Sequence, residues 1–186
     1  MEIINGERLV LGTCYYPEHW DESLWRDDLR RMLENGIEVI RIAEFAWSKI
    51  ERYEGVFNYD FFDRFLDAAA EMGMKVIFCT PTATPPAWLT EKYPEVLNAT
   101  MDGVLYRHGG RRHYNYNSPK YQELTRIIVE KSASHYAKHP AIIGWQIDNE
   151  INCEKNEFYS ESDTIAFRKF LMEKYGSIDA LNDAWG

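Results

Sequence analysis

IIGWQIDNE, residues 142–150, is a largely apolar run that stops abruptly at Asp148, Asn149 and Glu150. An ionised carboxylate at the end of a buried strand is costly unless it is paired, hydrogen-bonded or open to a cleft. The stretch therefore predicts a buried strand and, just beyond it, a site.

Working outward, the same alternation recurs along the chain. Short apolar runs at residues 9–16, 39–43, 75–80 and 141–147 alternate with amphipathic stretches, the pattern of βα units around a parallel sheet. Between the first two runs, Trp25, Leu29, Met32 and Leu33 share one face of a helix over 21–35 that Gly36 stops. Phe62, Phe65, Leu66 and Ala69 do the same over 59–72, with Gly73 as the stop. Ser118 and Pro119 suit the N-cap and first turn of a helix running to His139, before Pro140. Ser160 with Asp163 forms a capping box for a helix over 163–175, and residues 177–185 begin another. Residues 81–117, with TPTATPPAW, Gly109, Gly110 and the basic Arg111, Arg112 and His113, read as a long connection, and such loops usually carry function. Four βα units are thus accounted for, where a closed (β/α)8 barrel takes about 250 residues. The sheet is either open or half of something larger.

Composition narrows the partners. A net charge of −9 opposes binding to a phosphate backbone, so no nucleic-acid partner is expected. The start, MEIINGERLVLG, lacks a secretory pattern, and no run approaches the roughly 20 apolar residues of a membrane span. A soluble, cytoplasmic protein with no membrane partner is the expectation. Cys14, Cys79 and Cys153 are odd in number and far apart, which reads as reduced thiols. Twelve Tyr and six Trp either fill cores or stack on sugars.

Reacting groups in parallel α/β folds sit beyond the C-terminal strand ends. There this chain places Tyr16 and His19 after strand one, Glu44 after strand two, Thr80 and Thr82 after strand three, and Asp148, Asn149 and Glu150 after strand four. Glycosidic cleavage requires one carboxylic acid to protonate the leaving oxygen and a second carboxylate to attack or activate water. Glu150 is the candidate acid/base and Asn149 a candidate donor to a sugar 2-hydroxyl. The plainer reading is an ion pair between Glu150 and Arg41 or Arg111 that only stabilises the sheet end. Adjacent strand residues also face opposite sides, so both can reach one ligand only if the strand bends or ends there.

The blocks GTCYYPEHW, RIAEFAWSKIERYEGVFNYDFFD, TPTATPPAWL, GRRHYNYNSPKY and WQIDNE, in this order over nearly the whole chain, resemble the N-terminal part of glycoside hydrolase family 42. Those are beta-galactosidases on a (β/α)8 barrel. The resemblance implies the N-terminal half of such a barrel, one partial catalytic domain over 1–186 without its C-terminal half. It further implies retaining hydrolysis of terminal β-D-galactosyl residues in β-galactoside oligosaccharides, and a homo-oligomer, often a trimer. In it Glu150 acts as acid/base, Asn149 and Arg111 bind substrate, and Tyr16, His19 and Glu44 line the site. Trp47 and Trp88 could stack on sugar, although rings at strand ends more often pack.

The chain departs from the family in two places. Some members hold zinc through a cysteine cluster, but here the matching position after RRHY is Asn115 and Cys153 stands alone, so no metal or other cofactor is expected. His135 and His139 have metal-ligand spacing without a third ligand in the sequence nearby. The family's nucleophilic glutamate ends strand seven, beyond this sequence. A four-strand sheet would leave two open edges, so weak stability or self-association and negligible hydrolysis are expected of the chain alone. The rivals are another β-glycosidase barrel of the same superfamily and a non-catalytic sugar-binding or assembly half-barrel.

Overall fold

The computed structural model describes residues 9–151, 153 and 155–186. In chain order they form β1 (Leu11–Cys14), α1 (Trp25–Glu34), β2 (Ile37–Ile42), α2 (Trp47–Ile50), β3 (Glu51–Tyr53), β4 (Val56–Phe57), α3 (Asp60–Met72) and β5 (Lys75–Cys79). There follow α4 (Ala87–Lys92), α5 (Pro119–Tyr136), β6 (Ile142–Gln146), α6 (Glu161–Tyr175) and α7 (Ile178–Trp185). The sequence reads as one partial barrel domain; its contacts fall into two compact units. The first holds residues up to 86 with 127–151, the second 87–126 with 152–186.

The first unit contains the predicted α/β sheet. Its order is β1-β2-β5-β6 and every pairing is parallel, with Thr13 opposite Ile40, Ile40 opposite Val76, and Phe78 opposite Trp145. Neighbours in the sheet are therefore consecutive βα strands, as in the N-terminal half of a (β/α)8 barrel. β1 and β6 are its edges among the described residues. Leu29, Ile40, Ile42, Phe62, Phe65, Leu66, Val76 and Phe78 are fully buried, each side chain contributing about 1.5–3 kcal/mol by leaving water. α3 buries the expected Phe62, Phe65, Leu66 and Ala69, and Gly73 ends it at φ +80°, where a side chain would be strained.

Local polar chemistry shifts several boundaries. The helix expected over 21–35 starts late: Asp21 accepts a hydrogen bond from the Ser23 amide at 2.9 Å, which favours a 3-10 turn at Glu22–Leu24 before α1. α5 ends at Tyr136 rather than His139, and β6 is shorter at both ends than 141–147. The α2 and β3-β4 segment was not evident from hydrophobic period. Its organiser is Glu51, 2% exposed, whose carboxylate accepts from Trp47 Nε1 and from the Gly55 amide, both at 2.7 Å. Trp47 is itself fully buried, so it packs and cannot stack on a sugar.

In the second unit, part of the long connection is ordered around α4, a 3-10 turn at Pro94–Val96 and the antiparallel bridges Leu97 to Tyr114 and Ala99 to Leu105. Tyr114 and Tyr121 stack at 4.7 Å in its core, and Arg112 is buried with its Nη1 donating to the hydroxyls of Tyr114 and Tyr116. Asn115, fully buried, donates through Nδ2 to Ser162 Oγ at 2.9 Å and Asp163 Oδ2 at 2.7 Å, beside the predicted capping box that opens α6. Trp88, on α4, is half-buried. Among the described residues no helix is long and apolar enough to cross a membrane.

Candidate active site

The polar residues at the C-terminal strand ends of the first unit form one connected network. β2 places Arg41 on the strand and Glu44 just past its end, after Ala43 at φ +69°. Arg41 Nη2 donates to Glu44 Oε2 at 2.5 Å and Tyr16 donates its hydroxyl to the same oxygen at 2.9 Å. Arg41 also reaches the Cys14 sulfur with Nε and Nη2, at 3.3 and 3.1 Å. Its remaining nitrogen, Nη1, donates to Gln146 Oε1 at 2.7 Å and Asn149 Oδ1 at 3.3 Å. One guanidinium thus links the ends of three strands.

Electrostatics follow from that geometry. Burial opposes the Arg41 charge, yet the Cys14 sulfur and the Glu44 carboxylate outweigh it and raise its pKa. Burial, then the Glu44 carboxylate, pushes the Tyr16 hydroxyl up to about 12, so it acts as a donor. Burial alone dominates at Cys79, whose thiol is pushed up to about 12. Glu44 itself is only 4% exposed.

β6 ends at Gln146, two residues before Asp148. The Asp148 amide donates to Thr80 Oγ1 at 2.7 Å, Thr82 donates to Asp148 Oδ2 at 2.8 Å, and the Asn149 amide donates to Asp148 Oδ1 at 2.6 Å. Asp148 takes φ +52° and Glu150 φ +45°, left-handed conformations that non-glycine residues rarely adopt. The pleat has therefore ended before Asn149 and Glu150, and strict alternation of faces no longer separates them. Asn149 is buried at 9% exposure, while Glu150 is exposed.

The orientation of the Asn149 amide is determined by its neighbours. Arginine can only donate, so the oxygens of Gln146 and Asn149 must face Arg41. Gln146 then turns its nitrogen to Asn149 Oδ1 at 3.2 Å and the Asp148 carbonyl at 2.9 Å. With two donors on its oxygen, Asn149 has its NH₂ on the other side, available to an acceptor.

Of the residues nominated from sequence, Tyr16, His19, Glu44, Asn149 and Glu150 lie in this unit at the C-terminal strand ends. His19 is exposed and stacks on Tyr16 at 5.4 Å, and Tyr16 stacks on Phe45 at 5.7 Å. Arg111 belongs to the second unit, where it is exposed and lines a small cavity. From the sequence Arg41 reads only as an ion-pair partner of Glu150, whereas in the structure it joins Glu44, Cys14, Gln146 and Asn149. Its signal was a charged residue inside the apolar VIRIA, three positions before Glu44. No group of three or more His, Cys, Asp or Glu side chains among the described residues is placed to hold a metal. His135 and His139 instead meet Asp63 and Asp67 of α3 at 2.8 and 3.4 Å.

A parallel βα sheet with carboxylate, guanidinium and amide groups gathered at its C-terminal strand ends has the arrangement in which (β/α)8 barrels carry their sites. Comparison with known proteins narrows the class. The family model described as Beta-galactosidase, glycoside hydrolase family 42, matches residues 14–186. The Thermus sp beta-galactosidase BgaA is 46% identical over 178 residues, covering 95% of this chain and 28% of its own. Halorubrum lacusprofundi beta-galactosidase Bga is 42% identical over 177 residues, covering 95% and 25%. The crystal structure of the beta-galactosidase from psychrophilic Marinomonas ef1 superposes with a TM-score of 0.92 at 45% identity, covering 96% of this chain and 27% of that one. The chain belongs to glycoside hydrolase family 42. It spans about a quarter of the length of these relatives.

Proposed function

We propose that this chain supplies the acid/base side of a retaining β-galactosidase site, hydrolysing terminal β-D-galactosyl residues of oligosaccharides. Glu150 protonates the departing glycosidic oxygen while a carboxylate from a later strand attacks the anomeric carbon; Glu150 then takes a proton from the water that releases galactose. Asn149 donates to the sugar 2-hydroxyl, and Tyr16, His19 and Glu44 contact the ring or its surroundings. The observation that carries the reading is the Asn149 amide, set by Arg41 and Gln146 to donate, next to Glu150 at the end of a parallel strand. Family membership, and relatives named beta-galactosidase, support the substrate class.

The test is Glu150→Gln in the full-length gene product, assayed on aryl β-galactosides with good and poor leaving groups. Loss of proton transfer should lower turnover about 10²- to 10⁴-fold for poor leaving groups and much less for good ones. Equal loss for both, or none, would refute the acid/base assignment. Faster turnover of aryl β-glucosides or β-mannosides than of β-galactosides would refute the substrate assignment alone. The 186-residue polypeptide by itself is expected to show no turnover.

A further inference from the structure

The turn that carries Glu150 is held from a different strand. β5 ends at Cys79 and leads into a 3-10 turn at Pro81–Ala83, in which Pro81, Thr82 and Ala83 are all buried. Thr80 and Thr82, each 3% exposed, set two hydroxyls against the buried Asp148. Thr80 Oγ1 accepts from the Asp148 amide at 2.7 Å, while Thr82 Oγ1 donates to Asp148 Oδ2 at 2.8 Å. The other carboxylate oxygen, Oδ1, accepts from the Asn149 amide at 2.6 Å. Both amides before Glu150 are thereby fixed to the end of β5, one directly and one through the Asp148 side chain, across 68 and 66 residues of sequence.

These bonds hold a backbone that would not keep its shape unaided. Asp148 at φ +52° and Glu150 at φ +45° lie in the left-handed region, which a side chain disfavours. Such conformations persist only where the surroundings over-determine them. Once released, each residue gains by returning to negative φ, and a backbone change of that size redirects the Cα–Cβ bond of Glu150. Direction matters here, because an acid must lie within hydrogen-bond reach of the oxygen it protonates. A displacement of about 1 Å can cost about 10²-fold in rate.

We propose that Thr82 is a positioning residue for the acid/base: through the Asp148 carboxylate and the Asn149 amide, its hydroxyl sets the direction in which Glu150 meets the glycosidic oxygen. The inference rests on the acid/base reading of Glu150 and gives the end of β5 a part in chemistry carried out at the end of β6. Thr80 only continues the strand pairing, its amide donating to the Gln146 carbonyl at 2.9 Å. Thr82 has left the strand, and its hydroxyl meets the side chain that holds Asn149. Buried as it is, Thr82 touches no substrate and acts through Asp148.

The test is Thr82→Val and Thr82→Ser in the full-length enzyme, beside Glu150→Gln, with kcat/KM measured on aryl β-galactosides of good and poor leaving groups. Valine resembles threonine in shape and lacks the hydroxyl; serine keeps it. Thr82→Val should lower kcat/KM about 10²-fold for poor leaving groups, which need the proton, and much less for good ones. Thr82→Ser should recover most of that loss. A merely structural defect reduces the amount of folded enzyme and so lowers every substrate by the same factor. If Glu150→Gln shows the leaving-group dependence and Thr82→Val shows an equal loss on all substrates, or none, the role of Thr82 is overturned and the proposed hydrolysis stands. Thr82→Ser as impaired as Thr82→Val would assign the effect to the methyl group and overturn it as well. Glu150→Gln without that dependence would overturn both readings together.

Discussion

Replacing Arg41 by Met and Glu44 by Gln, singly and together, measures whether the strand-end network is one unit. The two side chains are 24% and 5% exposed and meet at 2.5 Å. With the charge centres about 4 Å apart at an effective dielectric near 20, their gross attraction is about 4 kcal/mol, most of it offset by desolvation. Removing one partner leaves the other buried and uncompensated, at a cost of about 3–5 kcal/mol. Arg41→Met is at the upper end, because it also strips donors from Gln146, Asn149 and Cys14. The double variant removes both charges, so it should cost about 2–3 kcal/mol less than the sum of the singles. Urea unfolding followed by near-ultraviolet circular dichroism, which reads the buried aromatics, gives the four stabilities. Additive losses within about 0.5 kcal/mol would refute the reasoning, since independent sites add to that margin.

Three other outcomes follow from particular contacts. Glu18 has both carboxylate oxygens buried without a hydrogen-bond partner among the described residues, and burial raises its pKa above the ordinary 4.5 against the opposing pull of His19 and Lys49. A carboxyl with a raised folded pKa leaves stability intact below its unfolded value and erodes it as pH climbs through the folded one. Glu18→Gln should therefore gain on the wild type as pH rises from 4.5, and parallel pH profiles of unfolding would dismiss this. Asn149→Asp keeps an acceptor for Arg41 but loses the outward donor, so in the full-length enzyme it should keep its melting temperature while turnover falls about 10²- to 10³-fold; retained turnover would show that the amide does not donate. The 186-residue polypeptide should self-associate in light scattering, through the edges β1 and β6 or the exposed Phe167, Phe170 and Trp185, whereas a monomer at high concentration would contradict that.

Period and punctuation made the scaffold legible. The i, i+3, i+4 stripe of α3, the glycine after it and the four apolar runs each report burial of one face, which depends on local sequence. The capping box before α6 was readable for the same reason, its partners being three residues apart. The hairpin β3-β4 was not, because it rests on one buried carboxylate, Glu51, that looks like any surface glutamate in a linear reading. The site divided along the same line. Tyr16, Glu44, Asn149 and Glu150 announce themselves by ending strands. The role of Arg41 does not, since its partners Gln146 and Asn149 are 105 and 108 residues away.

That distance explains why an arginine stands there. A lysine would present one ammonium and could not span Glu44 on one side and two amide oxygens on the other, whereas the planar guanidinium carries five donors in fixed directions. Because every one of those directions is a donor, Arg41 dictates that oxygen, not nitrogen, faces it at both Gln146 and Asn149. The same constraint propagates one residue further: Gln146 Nε2 holds the Asp148 carbonyl, and the Asp148 carboxylate, braced by Thr82, holds the Asn149 amide. Left-handed φ values at Asp148 and Glu150, each costing on the order of 1 kcal/mol, persist because these bonds over-determine the turn. The turn at Asp148 and the direction of the Asn149 donor are thus both tied to one half-buried cation on β2.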